Sequence, residues 1–322
     1  MKRMWLAFLL LMAVAPSVMA DARGFPSKAI RVIVPFTAGS GADIFARYFG
    51  EKLAGIMGQA FVIENKPGAN GVIGTMTVKS APADGYTILL ASNSPLTVNP
   101  VTMKDLPYDP FKDFTPIING VSPVNGFVTN AALPVNSVRE FIDYAKKNPG
   151  KIAYGSNGIG SSHHLRGEFL KMVAGIDMLH VPYPGSNEVV TAVVNNSVQL
   201  TFSTPSSAQQ HVAAGRLKLL AITMPKRAPN LPNVPTADEL LPGFFSTLDW
   251  FGFFGQGNLP QAIVARLNAE FGRALAHADV RSRFEAMSVQ IIGGTPDEFA
   301  AVMKSDYALY AKIAKAAGIQ PE

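Results

Sequence analysis

Short runs of β-branched and aromatic residues alternate along the chain with longer stretches whose apolar positions recur every three or four residues. Ala29 to Pro35 (AIRVIVP) has the composition of a buried strand. From Asp43 onward Ile44/Phe45, Tyr48/Phe49, Leu53 and Ile56/Met57 recur at helical spacing, and the pattern stops at Gly58. Ala60 to Glu64 predicts a second strand, ended by the turn-forming Lys66-Pro67-Gly68. Gly71 to Ser80 predicts a helix and Tyr86 to Ala91 a strand.

The alternation resumes after a less regular stretch. Asn136 or Ser137 can cap a helix whose apolar face is Val138, Phe141, Ile142 and Ala145, and Glu140 stands at capping-box spacing from Ser137. Asn148-Pro149-Gly150 ends it. Strands are expected at Lys151 to Tyr154, Leu179 to Pro182, Gln199 to Ser203 and Leu217 to Thr223. Helices are expected from about Ser162 to Val173, from a Ser186 cap to about Asn195, and from Ser206 to Ala214. Pro225 to Gly243 holds five prolines and little periodicity, which predicts a long connecting loop.

Trp250 to Gly255 is strand-like, and mainly helices follow. Pro260 marks one helix start, with Ile263, Val264, Leu267, Phe271 and Leu275 on one face. Asp279 can cap another, and Thr295-Pro296-Asp297-Glu298 has capping-box spacing before a helix reaching Gly318. These last helices have no sheet of their own, so they are expected to fold back on the first one. The implied α/β architecture has two lobes, each a mixed, mainly parallel sheet flanked by helices, joined by two crossovers near Val121–Val128 and Asp249–Gly255. Residues 21–122 and 252–322 would form lobe 1, and 123–251 lobe 2.

The N-terminus departs from this pattern. Lys2 and Arg3 precede an unbroken apolar run from Met4 to Ala15, and Val18-Met19-Ala20 offers small or apolar residues at the cleavage positions. That is the layout of a secretory signal peptide over residues 1–20, cleaved after Ala20. The apolar run is shorter than the roughly 20 residues needed to span a bilayer. Export is therefore expected, with a soluble mature chain beginning near Asp21. The chain has no cysteine, so neither a disulfide nor a lipid-modified N-terminal cysteine is expected. The formal charge of +5 falls to +3 without Lys2 and Arg3, leaving 26 basic against 23 acidic side chains. Such a mild excess suits small anions, and no Lys/Arg cluster interleaved with aromatics suggests nucleic acid.

Candidate chemistry concentrates in three loops of one design, a strand followed by Gly/Ser/Asn residues and a helix start. They are Pro35 to Gly41 (PFTAGSG), Gly155 to Ser162 (GSNGIGSS) and Pro184 to Asn187 (PGSN). A helix N-terminus presents unpaired N–H groups and about half a positive charge, so it holds an anion without needing Lys or Arg. In open α/β sheets ligands lie beyond the carboxyl ends of the strands, where all three loops fall. Each alone is also an ordinary helix cap; three across two lobes predict a ligand cleft.

Competing chemistries lack parts. Gly68 to Thr75 has phosphate-loop glycines but no Lys before its Thr. Ser162-His163, with Asp43 as a distant third group, is the hydrolase or isomerase alternative, but adjacent side chains at a helix start diverge and no G-x-S-x-G elbow occurs. His163 and His164 lack further ligands at metal-site spacing. No cofactor or metal is expected, and binding is favoured over catalysis. Phe127, Trp250, Phe251, Phe253 and Phe254 are expected to be mostly core, and Asp43 a helix-start residue.

Several segments in order carry a specific resemblance: IRVIVPFTAGSGADIFAR, VIENKPGANGVIG, APADGYTILL, LPYDPFKDFTPI, NPGKIAYGSNGIGSSHHLRGE, HVPYPGS, NVPTADE and IVARLN. From Phe25 to Gly318 the chain resembles the Bug family, the substrate-binding proteins of tripartite tricarboxylate transporters. The resemblance implies a type II periplasmic binding fold, a small carboxylate in the inter-lobe cleft and a two-component membrane permease as partner; a monomer is expected. Carried over by position, the ligand would meet Phe36, Ala38, Gly39 and Ser40 in the first loop. Ser94 would enter from the turn after Ala91, and Ser156, Asn157, Ser161, Ser162 and His163 from the second-lobe loop. Tyr183, Gly185 and Ser186, then Ser203 and Thr204, would complete the set. Ser40 stands where the family commonly has Gly, and Pro184 where it has Lys, which makes an extra negative group on the ligand less welcome. A ligand sensor feeding a membrane kinase is the alternative role.

Overall fold

The computed structural model describes residues 24–319 and 321, except 225, 229, 242–243, 245–248 and 288. The expected signal peptide and its cleavage point lie outside the described residues.

The first sheet is built from β1 (Ile30–Val34), β2 (Phe61–Asn65), β3 (Thr87–Ser92), β4 (Phe114–Pro123), β10 (Phe251–Gln256) and β11 (Val289–Gly293), in the order β11-β4-β10-β3-β1-β2. β1 pairs in parallel with β2 and β3, whereas β10 is antiparallel to both β3 and β4, and β11 antiparallel to β4. The second sheet contains β5 (Gly126–Asn130), β6 (Ala153–Ser156), β7 (Leu179–Pro182), β8 (Leu200–Ser203) and β9 (Leu217–Ile222), in the order β7-β6-β8-β5-β9. β6 is parallel to β7 and β8, and β5 antiparallel to β8 and β9. The sheets are mixed, as expected, with a larger antiparallel share than anticipated. The crossover strands supply it, because a chain returning between sheets enters each from the opposite end.

β1 is buried on both faces except Arg31, whose guanidinium pairs with Glu64 on β2 at 2.7 Å. That explains why the strand reads as a continuous apolar run. α1 (Gly41–Met57) covers this sheet, capped by Ser40 and ended by Gly58 at φ 69°, a left-handed conformation that favours glycine. Its Phe45 and Phe49 interlock with Phe253 of β10, and Phe49 and Phe253 with Phe271 of α9 (Gln261–Leu275), at centroid distances of 4.8–5.8 Å. Each buried phenyl contributes about 1.5–3 kcal/mol. Trp250, Phe127, Phe253 and Phe254 are likewise core, while Phe251 is partly buried and packs edge-on against Phe36 at 6.3 Å.

Several local expectations change in detail. Ser137 caps α4 (Val138–Lys147), but Glu140 reaches back to the N–H of Asn136 at 2.7 Å rather than to Ser137. Gly185, not Ser186, is the cap of α6 (Ser186–Val194), and His277, not Asp279, precedes α10 (Ala278–Ala286). The proline-rich connection contains a short helix, α8 (Ala237–Leu240), with a full capping box between Thr236 and Glu239. After β3 the chain makes a π-turn at Ser94–Val98 and then α3 (Asn99–Thr102). Neither has a readable period, and Pro95 and Pro100 obscure both.

The largest correction concerns α11 (Pro296–Ala316), which begins with the expected Thr295–Glu298 capping box. Its first half packs on the first sheet through Phe299 and Met303. Its second half does not fold back there: Tyr310, Ile313 and Ala314 join the core of the second sheet beside Leu165 and Leu170 of α5 (Ser162–Ala174). One helix thus buries apolar surface against both lobes.

Candidate functional site

β1 and β3 are neighbours in parallel, so the loops leaving their carboxyl ends lie side by side. A third loop joins them: the Cβ position of Gly71 lies 3.2 Å from Pro95 and 3.5 Å from Pro35. On the facing lobe, the carboxyl ends of β6, β7 and β8 carry the remaining expected residues.

Asp43 holds the first loop from beneath. Its buried carboxylate accepts the N–H of Gly39 (2.9 Å), the amide of Asn65 (2.9 Å) and the guanidinium of Arg47 (3.0 Å). Asn65 also donates to the carbonyl of Phe36 at 3.1 Å. Although burial opposes ionisation, Arg47, the Gly39 N–H and Asn65 together hold the Asp43 carboxyl below its usual range. The expected helix-start role of Asp43 therefore stands, with an added duty as anchor of the loop. Two expectations change with it. The Gly39 N–H is taken by Asp43, so this residue's contribution is its left-handed turn at φ 79°. The Ser40 hydroxyl is the α1 cap, accepting the Asp43 N–H at 3.3 Å. Ala38 is exposed, and Gly41 and Ala42 open the helix in positions that have no intrahelical acceptor.

The second-lobe loop is bonded chiefly to itself. The Ser156 hydroxyl donates to the Gly158 carbonyl at 3.0 Å, and Ser161 caps α5 by accepting the His164 N–H at 3.2 Å. The N–H of Gly160 donates to His164 Nδ1 at 3.1 Å. Asn157 has a buried side-chain amide oxygen with no protein partner. No acidic residue stands in the first turn of α5, unlike α1 with Asp43 and α6 with Glu188.

The two faces meet at this loop. The Ser162 N–H lies 3.4 Å from the Ser94 hydroxyl, and Asn70 donates to the Gly160 carbonyl at 3.1 Å. Gly160, at φ 69°, sits so close to Thr102 that a Cβ would lie 2.8 Å from its hydroxyl oxygen. Tyr183 joins the second-lobe loop through its N–H to the Ser156 carbonyl at 2.9 Å. Gly185 and Ser186 follow at the start of α6. Ser203 and Thr204 bond locally to Ser207 at 2.8 and 3.0 Å, at the start of α7 (Pro205–Ala213). A separate open groove of about 410 Å³ runs along α6 from Tyr183 and Glu188 to Asn195 and Ser197. It lies on the second lobe alone, and of the expected residues only Tyr183 lines it.

Sequence reading missed four residues near this junction: Asn70, Asn99, Thr102 and His180. Asn70 adopts φ 48° and bonds Asn99 at 2.6 Å; the Pro67-Gly68-Ala69-Asn70 turn was a signal for an unusual backbone there. His180 Nε2 lies 2.6 Å from the Ser156 hydroxyl, and its ring stacks on His164 at 3.9 Å. Burial, reinforced by His164 and Lys171, pushes His180 down to about 3, so it is neutral at neutral pH. His163 is half-buried and lowered to about 4 by burial and the nearby Arg166. Asp43 and His163 are thus each committed to separate surroundings, and no Ser162–His163–Asp43 triad forms. Among the described residues no group of three or more metal-ligating side chains occurs.

Known proteins are similar to this chain over most of its length. The UPF0065 protein in the tcbD-tcbE intergenic region of Pseudomonas sp. (strain P51) is 35% identical over 291 residues, 90% of this chain and 86% of its own. The structure of R. palustris Rpa4515 with adipate superposes with a TM-score of 0.87 at 32% identity, covering 92% of this chain and all of the other. That of MatC from Rhodopseudomonas palustris with bound malate gives 0.81 at 28% identity, covering 90% and 99%. The model of the tripartite tricarboxylate transporter family receptor matches residues 45–319, and the chain belongs to that family.

Proposed function

We propose that this protein is a periplasmic solute receptor that closes its two lobes on a small carboxylate and presents it to a tripartite tricarboxylate transporter permease. One observation carries the reading. The start of α5 on one lobe meets Ser94 on the other, and the strand before Ser94, β3, is the parallel neighbour of β1, from whose carboxyl end the chain enters α1. Helix N-terminal N–H groups and short hydroxyl side chains suit a carboxylate, and they need no formal positive charge to hold it. Adipate and malate in two structural relatives support the ligand class. The family description supports the permease partner; the lobe boundaries in this reading stay at 122/123 and 251/252, each one residue inside a strand of the first sheet, β4 and β10.

The proposed contacts are Phe36, Ala38, Ser40 and Ser94 on one lobe and Ser156, Asn157, Ser161, Ser162 and His163 on the other, with Tyr183, Gly185, Ser186, Ser203 and Thr204 around them. Residues 21–322 should be heated with a panel of mono-, di-, tri- and aromatic carboxylates. A ligand at 100 times its dissociation constant stabilises by about 2.7 kcal/mol. Melting unchanged across the panel, in folded ligand-free protein, overturns the reading. Where backbone N–H groups dominate, Ser162→Ala weakens binding by only about 1 kcal/mol. A far larger loss, or turnover of any panel member, points instead to side-chain chemistry.

A further inference from the structure

Directly behind the Ser94–Ser162 junction lies a buried polar knot centred on Asp249, in the segment leading into β10. Its two carboxylate oxygens serve different lobes. Oδ1 accepts the amide of Asn93 at 2.9 Å, from the end of β3. Oδ2 lies 2.8 Å from the guanidinium of Arg166, on α5. Oδ2 also accepts the amide of Asn125, from the other crossover between β4 and β5. The same Asn93 amide lies 2.6 Å from the hydroxyl of Tyr310, on the lobe-bridging helix α11. Arg166 is fully buried and Asp249 is 7% exposed.

The arrangement lines up with the cleft. Asn93 immediately precedes Ser94, and Arg166 stands one helical turn beyond Ser162. The carboxylate that joins Asn93 to Arg166 therefore sits one step behind the hydroxyl and the N–H that meet across the junction. A buried ion pair adds little net stability, because desolvation offsets its attraction, but its directional bonds can select one geometry over its competitors.

We propose that Asp249 is a positioning residue for the cleft: one oxygen fastened to each lobe, it sets the approach of Ser94 to Ser162 and so the balance between open and closed protein. It is not among the proposed ligand contacts. Its effect on binding rests on the receptor reading above, whereas its effect on lobe separation does not. A knot that favours the closed form raises apparent affinity in proportion to the closed fraction.

The native chain has no cysteine, so spin labels at Glu51→Cys on α1 and Thr191→Cys on α6 report lobe separation in the full mature protein. Asn93→Ala releases Oδ1 while leaving the Arg166–Asp249 pair intact. The expected result is a longer and broader distance distribution without ligand, with adipate restoring the short distance if it binds. Affinity for adipate should fall about tenfold if the closed fraction falls tenfold, mainly through faster dissociation. Leu170→Ala, a core truncation in the second lobe, should lower the melting temperature without moving the distance. Should Asn93→Ala fail to fold, Asn93→Ser, which also gives up the amide donor to Oδ1, provides the same reading. A wild-type distance distribution in the folded variant overturns the proposal whatever the ligand does. A wild-type protein that binds no carboxylate overturns the receptor reading and leaves the distance result standing.

Discussion

Ser156 and His180 stand 2.6 Å apart, the separation of a nucleophile and its base, yet their surroundings commit them elsewhere. Ser156 is fully buried and also donates to the Gly158 carbonyl. A base near 3 takes up a proton poorly at neutral pH. The pair instead ties β6 to its neighbour β7 beneath the second-lobe loop, and it carries a pH signature. His180 is depressed from 6.5 to about 3 in the folded chain. Its contribution to stability is present above pH 6.5 and is lost as pH falls towards 3, at up to about 1.4 kcal/mol per pH unit. Melting followed from pH 7 to 4 should therefore drop less steeply in His180→Gln than in wild type. Asp43 makes a second residue-scale case. Asp43→Ala removes charge-assisted bonds to Gly39, Asn65 and Arg47 and should destabilise by about 2–3 kcal/mol. Because the loop loses its anchor, carboxylate affinity should fall as well, by calorimetry on protein that remains folded. Unchanged affinity would show that the loop keeps its shape without Asp43.

At the scale of elements, the three expected helix starts are not equivalent. α1 carries an acid in its first turn that Arg47 neutralises, and α6 carries Glu188, whose carboxylate folds against Gly185. α5 has neither, so no carboxylate in its first turn opposes its positive end. Ser161, Thr236 and Thr295 cap their helices at positions where sequence patterns are most informative, since the bond is local. Thr295→Ala should cost about 1 kcal/mol in denaturant unfolding with no effect on ligand affinity. Gly160 behaves differently. Its φ of 69° and its approach to Thr102 make Gly160→Ala strained in the fold and obstructive between lobes. The expected outcome is weaker binding than the stability loss alone explains, and wild-type affinity would remove Gly160 from the closed junction.

Across the whole molecule, α11 and the knot at Asp249 join what the two sheets separate. Trp250 donates its indole N–H to Asp306 on α11 at 2.7 Å. Burial, with Asp249 nearby, pushes the Asp306 carboxyl up to about 7 despite that bond. A folded-state value above the unfolded 3.8 means tighter proton binding in the folded chain. The stability this provides is complete below pH 3.8 and is lost as pH rises to about 7. Its direction is opposite to that of His180. Asp306→Asn should abolish this component, leaving a melting temperature that rises more from pH 4 to 7 than in wild type. A superimposable profile would place the Asp306 ionisation elsewhere.

Local physics made much of this legible in advance. Strand composition, helical spacing and caps depend on neighbours a few residues apart, so β1, α1, β7 and the start of α11 could be located from the sequence. So could the Gly/Ser loops after β1 and β6, and the family likeness they carry. Tertiary structure decided the rest, because it depends on groups that meet only after folding. Asp249 reaches Asn93 and Arg166 across 156 and 83 positions of chain, and nothing in its local sequence marks it. Ser94 and Ser162 are 68 residues apart, His180 and Ser156 are 24 apart, and α11 turns to the second lobe only because Tyr310 and Ile313 find an apolar surface there. The sequence by itself determined two α/β lobes and the Gly/Ser loops that lead into their helices. Which N–H groups stay free, and what holds the lobes in register, was settled by burial: a polar group removed from water must take whichever partner the fold brings within reach.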